Sequence, residues 1–323
     1  MKTTADTSDR DTRPGQAIAW QSPGNTSAIV VLLFGAVCIA FAPIFVRLSE
    51  LGPSATAFYR LLFSLPVVWS WMLLDWKTDN SGRRPATWHD YRLLAMAGMF
   101  FAGDLAVWHW SIRLTSVANA TLLANFAPIF VTLGAFIIFG ERFSKVFLIG
   151  MACAISGVVI LLGESINISH RHLLGDVCGM VTAVFYGAYI LTVGRLRSRF
   201  STATIMAWSG LTCCLVLIPI TLFSGESFVS ATVNGWLVLA GLALISQVGG
   251  QSMIAYALAH LSAAFGSVAL LLQPVLAAVF AWILFKEGLS VLQMCGGIIV
   301  LTGVYFARRG SSRKHGRGVV KQR

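Results

Sequence analysis

The chain has 323 residues, of which 56% are hydrophobic and only 11% are charged, and its formal net charge is +11. Soluble domains carry about 25% charged residues, so this composition excludes a soluble globular protein and indicates a membrane protein. The positive charge does not predict nucleic-acid binding, because the basic residues lie between apolar segments and in the two tails.

Ten apolar segments follow one another along the chain, and each is long enough to cross a hydrocarbon core of about 30 Å as a helix. We predict these helices at residues 27–46, 54–74, 93–112, 117–138, 146–163, 174–193, 202–222, 235–257, 262–283 and 290–307. The connections between them leave no room for a soluble domain. Residues 1–26 are predicted to form a disordered tail, and residues 308–323 a second, basic tail.

The distribution of lysine and arginine predicts the orientation of the helices in the membrane. If the ten segments alternate in direction, 19 basic residues lie on the side of the amino terminus and four on the opposite side. Arg60 is the one basic residue inside an apolar segment. Because positive loops stay in the cytoplasm, we predict an inner-membrane protein with both termini cytoplasmic.

The hexapeptide FAPIFV occurs at 41–46 and again at 126–131, but the two copies fall at different depths of their helices. We interpret this short match as a chance similarity between apolar segments. A longer repeat appears when the sequence is shifted by 146 residues, so that 116–144 aligns with 262–290 without a gap. Matching proline, glutamate and glycine positions over about 55 residues indicate a duplication.

The duplicated unit contains five predicted helices, residues 27–163 in the first copy and 174–307 in the second. Because five is odd, the second copy must enter the membrane from the opposite side. The predicted fold is therefore all-α, with ten transmembrane helices arranged as two inverted five-helix repeats. Many secondary transporters are built in this way and bind their substrate between the two repeats.

The doubled phrase APIFVTLGAFIIFGE and QPVLAAVFAWILFKE, together with FVRLSELGPSATAFYRLLFS at 45–64, resembles the drug/metabolite transporter superfamily in its EamA-type branch. This resemblance covers about 27–307. It implies ten helices, a central cavity, and export or exchange of small metabolites.

Few polar residues lie inside the apolar segments, and such residues are expected to face the interior of the bundle or a wet cavity. The candidate substrate-binding residues are Arg60, Asp104, Trp108, Asn125, Gln247, Gln251 and Gln273. Arg60 and Asp104 are expected about 9 Å and 12 Å below the external ends of adjacent antiparallel helices, so the two charges can pair. The alternatives are static pairing, hydrogen bonding of the amides between helices, and an interfacial position for Trp108.

Pro128 and Pro274 occupy equivalent positions of the two repeats and are candidate hinges, because proline leaves a helix carbonyl without its usual donor. We predict no metal site and no cofactor: the six cysteines all fall in apolar segments, and no nucleotide-binding motif is present.

The sequence predicts a secondary transporter and not an enzyme. Its expected partners are a small-molecule substrate, an amino acid or related compound first, and the lipid bilayer. A membrane-embedded enzyme acting on a lipid-linked substrate is the alternative. Substrate identity, transport direction, coupling ion and oligomeric state are not specified by the sequence, which is compatible with a monomer.

Overall fold

A computed structural model describes residues 26–78, 84–115, 117–163, 173–286, 288 and 290–319. Within these residues, ten helices are long and apolar enough to cross a membrane. They are α1 (Thr26–Leu48), α2 (Pro53–Lys77), α3 (Trp88–Ile112), α4 (Asn119–Phe139), α5 (Lys145–Gly163), α6 (Leu173–Leu196), α7 (Thr202–Ser224), α8 (Val233–Ala257), α9 (Ala263–Leu284) and α10 (Val291–Ser311). This confirms the predicted all-α, ten-helix membrane fold.

The boundaries of several helices extend beyond the apolar segments because polar residues cap them. Helix α3 starts at Trp88, five residues before the predicted segment, where the Thr87 side chain accepts from the Asp90 amide and the Asp90 carboxylate accepts from the Thr87 amide. This reciprocal capping satisfies amide groups that the helix itself leaves unbonded. At the other end of the chain, the last helix continues past the apolar segment to Val319.

Three of the ten helices are interrupted inside the membrane, and a proline follows each interruption. Helix α1 divides into Thr26–Ala40 and Ala42–Leu48, and helix α4 includes a break before Ala127–Phe139. Helix α9 divides into Ala263–Ala269 and Leu272–Phe285. Each proline lies in the first turn of the second segment, where its missing amide hydrogen costs no intrahelical hydrogen bond.

The two FAPIFV copies therefore have the same local structure. Phe41 and Phe126 both have helical backbone angles and precede a segment whose second residue is proline. The hexapeptide specifies a helix interruption in both places, although the copies belong to non-equivalent helices of the two halves.

The interruptions of α4 and α9 match at the level of single hydrogen bonds. The Asn125 amide donates to the Leu122 carbonyl at 3.1 Å, and the Leu271 amide, 146 residues later, donates to the Val268 carbonyl at 3.1 Å. The ends of the two helices match as well, because Gly140 and Lys286 both adopt a left-handed conformation, with φ of 65° and 55°. These matched details support the duplication.

The most extensive helix contacts are unchanged when α1–α5 are exchanged with α6–α10. Helix α3 packs on α6 as α8 packs on α1, and α4 packs on α6 as α9 packs on α1. The pairs α2–α7, α4–α9 and α5–α10 each join equivalent helices of the two halves. The principal helix pairs of the two halves thus correspond to one another.

The direction of the paired helices can be read from contacts along α5 and α10. A Cβ atom on Gly150 would lie 2.7 Å from the Gly303 carbonyl oxygen, and one on Gly157 would lie 2.8 Å from that of Gly296. The contact made by the later residue of α5 is with the earlier residue of α10, so the two helices are antiparallel. This is the relation expected of repeats with opposite orientation. The glycines also allow the two backbones to approach closely, as is common between transmembrane helices.

Loop residues close the bundle at the end where α1, α2, α7 and α8 meet. The Glu50 carboxylate accepts hydrogen bonds from the Ser230 hydroxyl at 2.7 Å and from the Thr232 amide at 3.0 Å. The Glu226 carboxylate accepts from the Ala55 amide at 2.9 Å, in the first turn of α2. The Tyr59 hydroxyl donates to the Phe228 carbonyl at 2.7 Å. These contacts join the two halves and define the loop clasp, residues 49–55 with 226–232.

Candidate functional site

Arg60 is the centre of a polar cluster inside the apolar bundle. The side chain is 9% exposed and lies in α2, where packing holds it among apolar neighbours. Its Nε donates a hydrogen bond to Oε1 of Gln247 in α8 at 2.9 Å, and its guanidinium lies 5.9 Å from the centre of the Phe101 ring in α3. The hydrogen bond therefore connects the first half of the chain to the second across the core.

Asp104 lies near Arg60 but does not bind it directly. The two side chains interact electrostatically, and no hydrogen bond or close ion pair joins them in the described part of the chain. Asp104 is partly buried in α3. The sequence places the two charges at similar depths, and the structure brings them close. Gln247, and not Asp104, occupies the position of hydrogen-bond partner to Arg60.

Gln247 and Gln251 belong to a π-helix, Leu242–Gln251, that forms the middle of α8. The turn of a π-helix is wider than that of an α-helix, so residues four apart in it do not lie directly above one another. Both side chains are nevertheless buried, at 2% and 3% exposed. Such π-helical turns are rare and occur frequently at functional sites.

Packing against α1 accompanies the wider turn. The Ser246 hydroxyl donates to the Cys38 carbonyl at 3.0 Å, and a Cβ atom on Gly250 would lie 2.8 Å from Ile39 side-chain atoms. Gly250 thus allows the π-helical segment to lie close to α1, while Gln247 and Gln251 are buried in the core.

A series of aromatic contacts extends from Arg60 towards Gln251 and Gln273. The Phe101 ring stacks on Tyr189 with centroids 4.8 Å apart, and Tyr189 stacks on Tyr186 at 6.2 Å. Tyr186 lies close enough to Gln251 and Gln273 for their polar groups to interact. The Arg60 cluster, as we call it, comprises Arg60, Phe101, Asp104, Tyr186, Tyr189, Gln247, Gln251 and Gln273.

Several polar atoms in this region are buried without a hydrogen-bond partner among the described residues. They include Oε1 of Gln251, Nε2 of Gln273 and Oγ of Ser252. Buried polar groups in native proteins are nearly always hydrogen-bonded, to protein, to water or to a ligand. The unpaired acceptor on Gln251 and the unpaired donor on Gln273 can therefore bind a molecule that carries both kinds of group.

Two other candidates have local roles. The Asn125 amide donates from Nδ2 to the Thr121 carbonyl at 2.8 Å, one turn back at the interruption of α4. Trp108 is half-buried near the end of α3, two residues before the exposed Trp110. Among the described residues, the Asn125 side chain forms no hydrogen bond with a member of the Arg60 cluster. A role of Asn125 or Trp108 in substrate binding stays a prediction.

The prolines differ from the expected hinges in one respect. Pro128 and Pro274 do not bend a continuous helix but begin the second segment after an interruption. At both places backbone hydrogen bonds tighten to a three-residue spacing, as between Gln273 and Leu270 at 2.9 Å. The interruption arises because proline has no amide hydrogen to donate and its ring clashes with the carbonyl four residues earlier, which breaks the helical hydrogen-bond pattern at that point.

Tyr186 and Tyr189 are members of the cluster that the sequence analysis did not include. They lie three residues apart in the stretch FYGAYIL, so they share one face of α6. Tyrosine in an apolar segment is less conspicuous than a charge, and this pair could have been found from its helical spacing.

Comparison with known proteins places this architecture among transporters. The profile of the EamA-like transporter family matches residues 26–163 and again residues 173–309. An uncharacterised transporter of Archaeoglobus fulgidus is 26% identical over 272 residues, which cover 82% of this chain and 91% of the relative. A probable terminal-alkyne amino-acid exporter of Streptantibioticus cattleyicolor is 27% identical over 232 residues, covering 70% of this chain and 76% of that protein.

A solved crystal structure has the same fold, with a TM-score of 0.75 and 17% sequence identity, over 89% of this chain and 99% of the other. The family match spans both halves of the molecule, one copy for each set of five helices. This multi-pass membrane protein belongs to the EamA-like transporter family.

Proposed function

We propose that the protein is a secondary-active exporter of a small polar metabolite, with amino acids and related compounds as the leading substrate class. The observation that carries this proposal is the Arg60 cluster, a set of charged and polar groups contributed by both halves to the interior of an apolar bundle. The amino-acid exporter among the relatives supports the substrate class and the direction.

The geometry of Arg60 suits a carboxylate. A guanidinium has five N–H donors, and Gln247 accepts from Nε alone. The two terminal nitrogens form no hydrogen bond with the described residues, so they are available for bidentate contact with a carboxylate. Asp104 on the neighbouring helix would bind the amine of the same substrate or a coupling proton. A zwitterionic amino acid fulfils both conditions.

The proposed mechanism is alternating access between two inverted repeats. Antiparallel packing of α5 with α10 supports the inversion, since equivalent helices of a non-inverted repeat would run in the same direction. The interruptions at Pro128 and Pro274 would be the positions where α4 and α9 change direction during transport. Replacing either proline by alanine is expected to slow transport while the protein still inserts into the membrane.

We further propose that the protein lies in the inner membrane with both termini in the cytoplasm. The loop clasp is then external. Reporter fusions after Lys77 and after Arg197 should give a cytoplasmic signal, and a fusion after Glu226 should give an external one. Fusions at 77 and 226 that report the same side would contradict this topology.

The decisive experiment is transport by the purified protein in proteoliposomes, with a panel of labelled amino acids and related metabolites, with and without a pH gradient. We expect saturable transport of at least one member that is lost in Arg60→Ala at equal protein content. If no compound in the panel is transported by a folded wild-type protein, the proposed substrate class is wrong.

A further inference from the structure

A cavity of about 410 Å³ opens between α3, α4 and α6, at the membrane end where α4 and α6 terminate. None of the residues that line it belongs to the Arg60 cluster. The cavity is therefore a separate feature, and the proposed transport function does not account for it.

Two regularly spaced rows of side chains form the walls. Helix α6 contributes Ala188, Leu191, Thr192 and Arg195, which share one face of a helix, with arginine at its end. Helix α3 runs in the opposite direction and contributes His89, Leu93, Met96 and Phe100. At 1.5 Å per residue, the walls extend about 10 Å from Arg195 to Ala188 and about 16 Å from His89 to Phe100. The depth of the cavity is apolar, and its mouth is polar.

The mouth carries positive charge, and no carboxylate is among the residues that line the cavity. Arg195 and Arg199 are exposed, and their guanidinium groups form no ion pair or hydrogen bond with any residue the structure describes. The Arg195 guanidinium lies 5.8 Å from the centre of the Phe139 ring, so the aromatic ring holds it over the opening. His89 adds a further polar group beside them.

We propose that this cavity is a binding site for an anionic phospholipid. The phosphate would bind between Arg195 and Arg199, and an acyl chain would lie along Ala188, Leu191 and Met96. A soluble polar metabolite would need polar partners along the walls. Below the mouth these walls are apolar except for Thr192, whose hydroxyl already donates to the Ala188 carbonyl of its own helix. Basic pockets between transmembrane helices at the cytoplasmic surface are where anionic headgroups bind, and the charge distribution of this chain assigns the mouth to that surface.

Native mass spectrometry of the full-length protein, titrated with phosphatidylglycerol or phosphatidylcholine, tests the proposal. We expect the wild-type protein to retain phosphatidylglycerol preferentially. The preference should fall about fivefold for each arginine removed, in Arg195→Gln and in the double variant with Arg199→Gln. Both side chains are exposed, so these variants are expected to fold.

Arg309→Gln is the matched control, because Arg309 is also an exposed arginine that lies over an aromatic ring, 4.7 Å from the centre of Tyr305, but does not line the cavity. It should keep the wild-type preference. Ala188→Phe fills the apolar part and should reduce binding of both lipids, and an excess of glycerol phosphate should displace neither. Any of five results would overturn the proposal. The first two are equal retention of the two lipids by the wild type and an unchanged preference in the double variant. The others are an equal loss of preference in Arg309→Gln, unchanged lipid binding in Ala188→Phe, and displacement of the lipid by glycerol phosphate.

Discussion

Arg60 and Gln247 are joined by a hydrogen bond of 2.9 Å that crosses from the first half of the chain to the second. Both side chains are buried, so neither can exchange its partner for bulk water without a movement of the helices. Because a buried hydrogen-bonding group without a partner is costly, this contact couples the conformation of α2 to that of α8.

We expect Gln247→Leu to lose both stability and transport, because it leaves the Arg60 Nε without an acceptor. The loss of a hydrogen bond to a charged group should lower the free energy of unfolding by about 1.5–3 kcal/mol. Thermal unfolding in detergent measures the first effect, and uptake into proteoliposomes measures the second. Gln247→Glu retains an acceptor oxygen and should unfold near the wild-type temperature. A Gln247→Leu protein with wild-type stability and transport would show that the contact has no role.

For Asp104, the prediction concerns the rate of transport and its dependence on pH. Asp104→Asn keeps the size of the side chain but removes its charge, so it should change the transport rate, the pH dependence or both. Asp75→Asn is the control, because Asp75 lies near the end of α2, away from the cluster. The measurement compares the three proteins at equal amounts over a pH series. If Asp104→Asn transports as the wild type does at every pH, Asp104 is neither a substrate ligand nor a coupling residue.

Much of the fold follows from the sequence because membrane thickness fixes the length of an apolar segment. The predicted segments at 146–163 and 262–283 agree with α5 and α9 within one residue. Glycines that match between the halves also lie at a helix interface of the fold, since Gly150 of α5 meets Gly303 of α10. These features depend on local composition and on spacing along the chain.

The site was predictable only in part. Arg60 and Asp104 are conspicuous as charges, but which acceptor binds Arg60 depends on how α8 is wound. The π-helix at Leu242–Gln251 is stabilised by packing against Cys38 and Ile39, more than 200 residues earlier in the chain. Helical periodicity carries no information about such a distant contact, so the partner of Arg60 could not be inferred from spacing alone.

The loop clasp gives a prediction for stability at low pH. Hydrogen bonds from Thr232 and Ser230 lower the pKa of the Glu50 carboxyl from 4.5 to about 2. Because the pKa is depressed in the folded state, the stabilisation is present above pH 4.5 and is lost as the pH falls towards 2. Unfolding temperatures of the wild type and Glu50→Gln should therefore differ at neutral pH and converge near pH 2. If the difference in unfolding temperature between the two proteins is the same at every pH in this range, ionisation of Glu50 is not the cause of that difference.

The interface between α5 and α10 should tolerate no added side chain. A Cβ atom on Gly303 would lie 2.3 Å from the Ala154 backbone nitrogen, so Gly303→Ala must push the helices apart. Overpacking of this kind costs about 1–3 kcal/mol, and thermal unfolding in detergent should show it. Gly163→Ala, at the end of α5, is the control, because a Cβ atom there meets nothing within 4 Å. Equal unfolding temperatures for both variants would contradict the close helix contact.

The equivalent helix ends at Gly140 and Lys286 should respond in opposite directions to substitution. Both residues have left-handed backbone angles, φ of 65° and 55°, but a residue with a Cβ atom pays a steric penalty there that glycine avoids. Lys286→Gly should therefore raise the free energy of unfolding by about 1 kcal/mol, and Gly140→Lys should lower it by a similar amount. Because Gly140 has open space around it, contacts with neighbouring residues do not complicate the comparison. Thermal unfolding of the two variants and the double variant measures both effects. If Lys286→Gly destabilises the protein while Gly140→Lys does not, the two helix ends do not share the conformation that their positions in the repeat imply.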